Sequence, residues 1–271
     1  PLTFLPMLSV SIIVTGAAGR MGSLIASLIR QTDDLELAGL LERPGRTDIA
    51  EAGCPVSTDL DTLLAASPGS VVIDFTTPEA TMEHARAAAR HGSPIVIGTT
   101  GLNEAEKKEL ETLALRTPVF LSPNMSVGIN VLLDLLPQLV SMLGEAYDVD
   151  ILEMHHNMKK DAPSGTALRL AEALADARGW DMKECACFCR EGLIGERPKR
   201  EIGIQTIRGG DIAGVHTVYC MGPGERIEIT HHAHSRENFA NGALKAARWL
   251  AGQNPGRIYD MKDALRDEGH P

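Results

Sequence analysis

Residues 154–167 read MHHNMKKDAPSGTA. Two adjacent histidines, His155 and His156, precede Lys159, Lys160 and Asp161, and a Pro-Ser-Gly-Thr turn then opens a helical pattern. Histidine gives and takes a proton near neutral pH. Lysine adds a second proton and a positive charge. The backbone N–H groups of Gly165 and Thr166 fall in the first turn of the expected helix, where donors lack intrahelical acceptors. Such a helix start receives anions. Proton carriers beside an anion site suit a small dicarboxylate whose reacting carbon must gain a proton. The plainer alternative is a solvated loop in which Ser164 or Thr166 merely caps the helix.

A second stretch, VTGAAGRMG at 14–22, spaces Gly16, Gly19 and Gly22 as G-x-x-G-x-x-G between a strand and a helix pattern. Glycine lets the backbone turn tightly and approach a pyrophosphate, which the helix start then binds. An acidic residue about 20 positions further on would accept from a ribose 2′-hydroxyl. Glu42 stands there, and Arg43 and Arg46 follow, suited to a 2′-phosphate. Both chemistries side by side point to NADH or NADPH. GTTG (98–101) and SPNMS (122–126) each follow a strand pattern, at the strand ends where open α/β sheets bind ligands.

Two cysteine and histidine groups read as structural. Cys185, Cys187 and Cys189 alternate in CACFC, which places them on one face of a strand as reduced thiols. HHAH at 231–234 lacks a ligand partner at metal spacing and reads as strand-end surface, so no metal is expected.

The elements that must hold these residues alternate at first. Strand patterns at SVSIIVTG, LELAGLLE, SVVIDFT, PIVIGTT and PVFLSPN interleave with helix patterns at RMGSLIASLIRQ, DLDTLLAA, PEATMEHARAAARHG and NEAEKKELETLALRT. That order predicts a doubly wound parallel sheet. A long apolar helix follows over SVGINVLLDLLPQLVSMLG, with Pro137 expected to kink or break it. After the DVDILEMHH strand and the GTALRLAEALADARG helix, residues 183–231 read only as strands and turns. SRENFANGALKAARWLAGQ is a final helix, expected to return to the first domain. The predicted class is therefore α/β: a Rossmann domain over 1–126 and 237–271, plus a second α+β domain with a mixed sheet over 127–236.

The 271 residues are 44% hydrophobic, enough for one large or two modest cores. No apolar run reaches the length of a membrane span. The opening PLTFLPMLSVSIIV lacks a basic n-region, so a cytoplasmic location is expected. A net charge of −10 without a basic run disfavours nucleic acid.

E-x-HHNMKKDAPSGTA closely resembles the signature of the dihydrodipicolinate (4-hydroxy-tetrahydrodipicolinate) reductases. VTGAAGRMG, VVIDFTTPEAT, VIGTTG, SPNMSVGINVL, IRGGDIAGVHTV and THHAHSRENFANGAL resemble segments of that family in the same order. The resemblance implies NAD(P)H-dependent reduction of a cyclic dicarboxylate in diaminopimelate and lysine biosynthesis, by a homotetramer. It implies His155 as general acid/base and Lys159 as second proton donor. His156, Gly165, Thr166 and Arg236 become substrate contacts. The cofactor contacts become Gly16, Ala17, Ala18, Gly19, Arg20, Met21, Glu42, Arg43, Gly98, Thr99, Thr100, Ser122, Pro123, Asn124 and Met125. The expected chemistry is hydride addition at ring C4 and protonation at C3 by His155 or Lys159. Lys160 and Asp161 stay unassigned and are expected to be solvated. Two other readings stand beside this one. A semialdehyde or homoserine dehydrogenase is a different dinucleotide reductase, and a non-catalytic NAD(P) sensor would bind without turnover.

Overall fold

The computed structural model describes residues 9–46, 49 and 53–266. The opening apolar segment at 1–8 and the chain end at 267–271 lie outside the described residues. By internal packing the chain divides into two compact units. One joins the residues up to Val127 to those from Glu237 onward, and the other is Gly128–Arg236.

In the first unit, β1 (Val10–Thr15) leads through the glycine turn into α1 (Arg20–Ile29), and β2 (Leu35–Leu41) pairs parallel to β1. The two-residue β3 (Val56–Ser57) precedes α2 (Leu60–Ala66), whose N-cap Asp59 accepts the N–H groups of Asp61 and Thr62. β4 (Val71–Asp74) precedes α3 (Pro78–His91). α3 has its proline in the first turn, where no N–H is missed, and ends at Gly92 in the left-handed region. β5 (Ile95–Ile97) precedes α4 (Glu104–Leu113), which starts on a complete Asn103–Glu106 capping box. β6 (Val119–Leu121) closes this run, and α5 (Val127–Leu143) leaves it. Pro137 does not break α5. The helix continues through it, with Leu136 and Val140 buried on either side and the Ser141 hydroxyl bonded to the Pro137 carbonyl.

In the second unit, β7 (Asp148–His155) runs to α6 (Gly165–Arg178). The single-turn α7 (Met182–Cys185) and the two-residue β8 (Ala186–Cys187) follow. This corrects the expected cysteine strand. Asp181 caps a helical turn, so Cys185 ends a helix and is buried, Cys187 is half-buried on β8, and Cys189 is exposed beyond it. The three thiols share no strand face. β9 (Ile202–Arg208), β10 (Gly214–Gly222) and β11 (Glu225–Ala233) complete the unit. The chain then returns to the first unit through α8 (Glu237–Leu250), β12 (Ile258–Tyr259) and α9 (Met261–Arg266).

The first sheet runs β12-β6-β5-β4-β1-β2-β3, every pair parallel. Its strands are buried on both faces because alternate residues feed two cores. Ile12, Val14, Ile73 and Phe120 pack against α1, α8 and α9, while Ile13, Val72, Ile95 and Val119 pack against α2, α3 and α4. Each such fully buried aliphatic residue contributes about 1.5–3 kcal/mol. The strand order reverses direction between β1 and β4, the switch point outside which open sheets bind ligands.

The second sheet is mixed, ordered β11-β10-β7-β9-β8, with β10 antiparallel to both neighbours and β7 parallel to β9. One face carries Val149, Ile151, Ile204 and Val218 into a core with Leu136, Leu170 and Leu174 from α5 and α6.

Candidate active site

β7 buries every second residue: Val149, Ile151, Glu153 and His155. The first two fill the apolar core. The last two, on the same face but at the strand end, carry charge and a proton instead. The Glu153 side chain is fully buried, and its Oε2 lies 2.6 Å from His155 Nδ1. An ionised carboxylate only accepts, so Nδ1 carries the hydrogen and Nε2 is left as the nitrogen that exchanges a proton. Arg208, opposite His155 on β9, donates to both Glu153 oxygens at 2.7 and 2.8 Å. The Ser164 N–H donates to Glu153 Oε1 at 2.9 Å. His216 stands opposite Glu153 on β10, with Nε2 3.0 Å from the Ser164 hydroxyl and its ring edge-on to His155. A Cβ at Gly214 would lie 3.1 Å from His155 Nε2, so the glycine keeps that nitrogen clear.

Burial pushes the His155 imidazole below its ordinary pKa; Glu153 opposes that shift, and Lys159 and Arg208 add to it. Burial would raise Glu153, but the hydrogen bonds from Arg208, His155 and Ser164 outweigh it and hold the carboxyl at about 2. Burial also pushes His216 down to about 4. His216 is therefore neutral at pH 7.

The loop beyond β7 returns to the same place. His156 is half-buried and donates its N–H to the Ile212 carbonyl. Lys159 Nζ binds both oxygens of Asp161 at 2.8 and 2.9 Å, and the Asp161 carbonyl accepts from Arg208. Asp161 is exposed but partnered, a role its expected solvation did not include. Ser164 caps α6 through Ala167 N–H. Gly165 follows, and a Cβ there would meet nothing within 4 Å, which leaves room at the helix start. Arg236 is exposed at the end of this unit. Among the described residues no group of three or more His, Cys, Asp or Glu is arranged to hold a metal.

In the first unit, Gly16 has φ +60 and a Cβ there would sit 2.9 Å from Thr76 Cγ2, so the turns after β1 and β4 touch. A Cβ at Gly22 would sit 2.3 Å from the Gly16 carbonyl oxygen. The helix therefore closes onto the turn only with glycine. α2, α3, α4, α6 and α7 start on side chains that accept their own N–H groups, whereas α1 starts on Gly19 without one. Its first-turn donors and positive dipole end stay available to an anion. Glu42, beyond β2, accepts from Ala18 N–H at 2.9 Å and Arg43 N–H at 3.0 Å, tying the acidic position to the turn. Arg43 and Arg46 are exposed beside it. These residues fit a nicotinamide dinucleotide: a backbone cradle for pyrophosphate, a carboxylate for ribose hydroxyls and cations for a 2′-phosphate.

The other expected cofactor loops are held by internal bonds. Thr99 donates to Asp74 and accepts from Thr76 N–H, and the Ser122 hydroxyl bonds the Asn124 carbonyl. Met125 is 1% exposed and packs in the core, so its side chain is not at the surface. Gly98 faces Phe75, whose ring a Cβ would strike at 2.2 Å. Beneath these loops lies a pair that motif reading missed. Asp74, fully buried at the end of β4, accepts from the hydroxyls of Thr76, Thr81 and Thr99 and meets His84 Nδ1 at 2.5 Å. Burial would raise Asp74, yet His84 and the threonines keep it below the ordinary carboxylate value.

A Rossmann-type unit with an open glycine turn, joined to a mixed-sheet unit with a buried Glu-His pair, defines a dinucleotide-dependent oxidoreductase. Models of the dihydrodipicolinate reductase N-terminus and C-terminus match residues 10–125 and 128–265. The chain is 61% identical over 257 residues to a 4-hydroxy-tetrahydrodipicolinate reductase of Nitratidesulfovibrio vulgaris, covering 94% of this chain and 99% of that one. It is 52% identical over 259 residues to that of Lawsonia intracellularis, covering 95% and 100%. Among solved structures, a dipicolinate-bound dihydrodipicolinate reductase from Paenisporosarcina sp. TG-14 shares the fold. Its TM-score is 0.75 at 22% identity, covering 93% of this chain and 97% of that one. The chain belongs to the dihydrodipicolinate reductase family.

Proposed function

We propose that this protein reduces 4-hydroxy-tetrahydrodipicolinate to tetrahydrodipicolinate with NADH or NADPH, a step of diaminopimelate and lysine biosynthesis. The observation that carries the reading is the end of β7. There a clear-faced His155 Nε2 and the Lys159 loop adjoin the Gly165 helix start. Loss of water from the hydroxylated substrate gives the conjugated dihydrodipicolinate ring, to whose C4 the reduced nicotinamide, when bound, would supply a hydride.

The chain's own residues do the rest. Gly16 to Met21 hold the pyrophosphate on backbone donors, and Glu42 and Arg43 hold the adenosine ribose. Gly98 to Thr100 and Ser122 to Met125 line the nicotinamide end through their backbones. Gly165, Thr166 and His156 hold the substrate carboxylates, and Arg236 adds positive charge. Lys159 offsets carboxylate charge, and His155 or Lys159 delivers the proton to C3. The first unit thus serves the cofactor, and the second serves the substrate and assembly of a cytoplasmic homotetramer. No helix among the described residues is long and apolar enough to cross a membrane.

The test is to add freshly generated 4-hydroxy-tetrahydrodipicolinate to protein and NADH. The reading requires NADH loss matched by tetrahydrodipicolinate formed. Cofactor binding without turnover would favour a sensor instead.

A further inference from the structure

We propose that Glu153 is the positioning residue of this site: one buried carboxylate that fixes the His155 tautomer and, through Ser164, holds the α6 start in register with it. The proposal rests on the reading of His155 as a proton donor. Glu153 is fully buried, so it meets no substrate and acts only through its neighbours. Its two oxygens divide between the halves of the site. Oε2 takes His155 Nδ1, and Oε1 takes the backbone N–H of Ser164, the residue that caps the helix start. Arg208 spans both oxygens and also binds the Asp161 carbonyl, so the loop bearing Lys159 hangs on the same ion pair. A shift of the carboxylate therefore moves the proton donor, the anion site and the lysine loop together.

The groups facing His155 make this carboxylate decisive. Arg208 on β9 and Lys159 on the loop are cations that disfavour a charged imidazole. His216 on β10 is a histidine edge-on to it. Glu153 is the group that favours the protonated ring. It also leaves the proton-exchanging nitrogen at Nε2, the side kept open by Gly214.

Four measurements decide the matter. Nitrogen NMR of the wild-type protein, at a pH high enough to leave His155 neutral, should find the remaining hydrogen on Nδ1; a hydrogen on Nε2 alone overturns the proposal whatever the activity. Glu153→Gln should lower kcat roughly 10²-fold and raise KM, and the limb of the pH profile that needs protonated His155 should move to lower pH. Glu153→Asp, which keeps the charge, should return that limb toward its wild-type position. Adding Glu153→Gln to His155→Gln should lower kcat by far less than Glu153→Gln lowers it alone, while the rise in KM through the α6 start should persist. A Glu153→Gln enzyme with unchanged kcat and pH profile would refute the positioning role while leaving the reductase reading intact. A wild-type protein that does not turn over would refute the reductase reading, and the tautomer would still be decided by NMR.

Discussion

Two buried carboxylate–histidine pairs occupy two strand ends, and they differ in what surrounds them. Asp74, at the end of β4, shares its charge with three threonine hydroxyls and His84, which comes from α3 ten residues on. Thr76 and Thr99 lie on neighbouring loops and Thr81 and His84 on α3, so its partners tie loops and helix to the strand end. Glu153, near the end of β7, shares its charge with a guanidinium and a helix-start N–H, and its histidine lies two residues away on the same strand. That histidine keeps Nε2 behind a glycine, next to a lysine loop. A buried ion pair is common to both strand ends; a clear second nitrogen, a lysine loop and an open helix start are found beside Glu153.

The contrast is broken most severely on the chemical side. Lys159→Met should lower kcat by roughly 10²–10⁴-fold at saturating NADH, with the protein still folded, because Lys159 is partly exposed and bound only to an exposed aspartate. A kcat near wild type would remove Lys159 from the chemistry. On the structural side, Asp74→Ala should cost about 3–5 kcal/mol in a denaturant melt, since it strips a buried partner from His84 and three threonines. A loss near zero would mean that the threonine cluster holds without its charge.

Acid should expose the β7 pair next. The Glu153 carboxyl sits at about 2 when folded against 4.5 as an ordinary value. Its folded pKa is depressed, so its contribution to stability is present above 4.5 and is lost as pH falls through that value toward about 2. Unfolding midpoints followed from about pH 5 to 3 should fall less steeply in Glu153→Gln than in wild type. The smallest effect belongs to the cofactor end. Glu42→Gln should weaken NADH binding by about tenfold or less and weaken NADPH binding less still, shifting the ratio of the two dissociation constants.

Much of this architecture is written locally. The apolar strand runs and period-3.6 runs mark β1, β2 and β4 to β7 and their helices, because each buries a continuous face. Helix ends are local too: Asn103 with Glu106 and Thr77 before Pro78 open helices, and Gly92 and Gly179 close them. The two-residue strands β3, β8 and β12 are too short to carry a period. They exist because a neighbouring strand offers an edge.

The same division holds at the site. His155, Lys159 and the Gly165 turn are contiguous and stand out as residue types. Arg208 and His216 reach Glu153 from 55 and 63 positions away through sheet register, which no local pattern encodes. Glu153 itself had a signal: two residues before His155 on a strand, it must share its face. Asp74 had one too, as a charge ending the fully buried VVID run.

If the β7 pair carries the proton and the β4 pair does not, losing either histidine should have very different consequences. Parallel kcat measurements on His155→Gln and His84→Gln, with 4-hydroxy-tetrahydrodipicolinate and saturating NADH, test it most directly. His155→Gln should lose roughly 10²-fold or more, and folded His84→Gln should keep a kcat within a few-fold of wild type. Near wild-type turnover in His155→Gln, or an equal collapse in both, would contradict it.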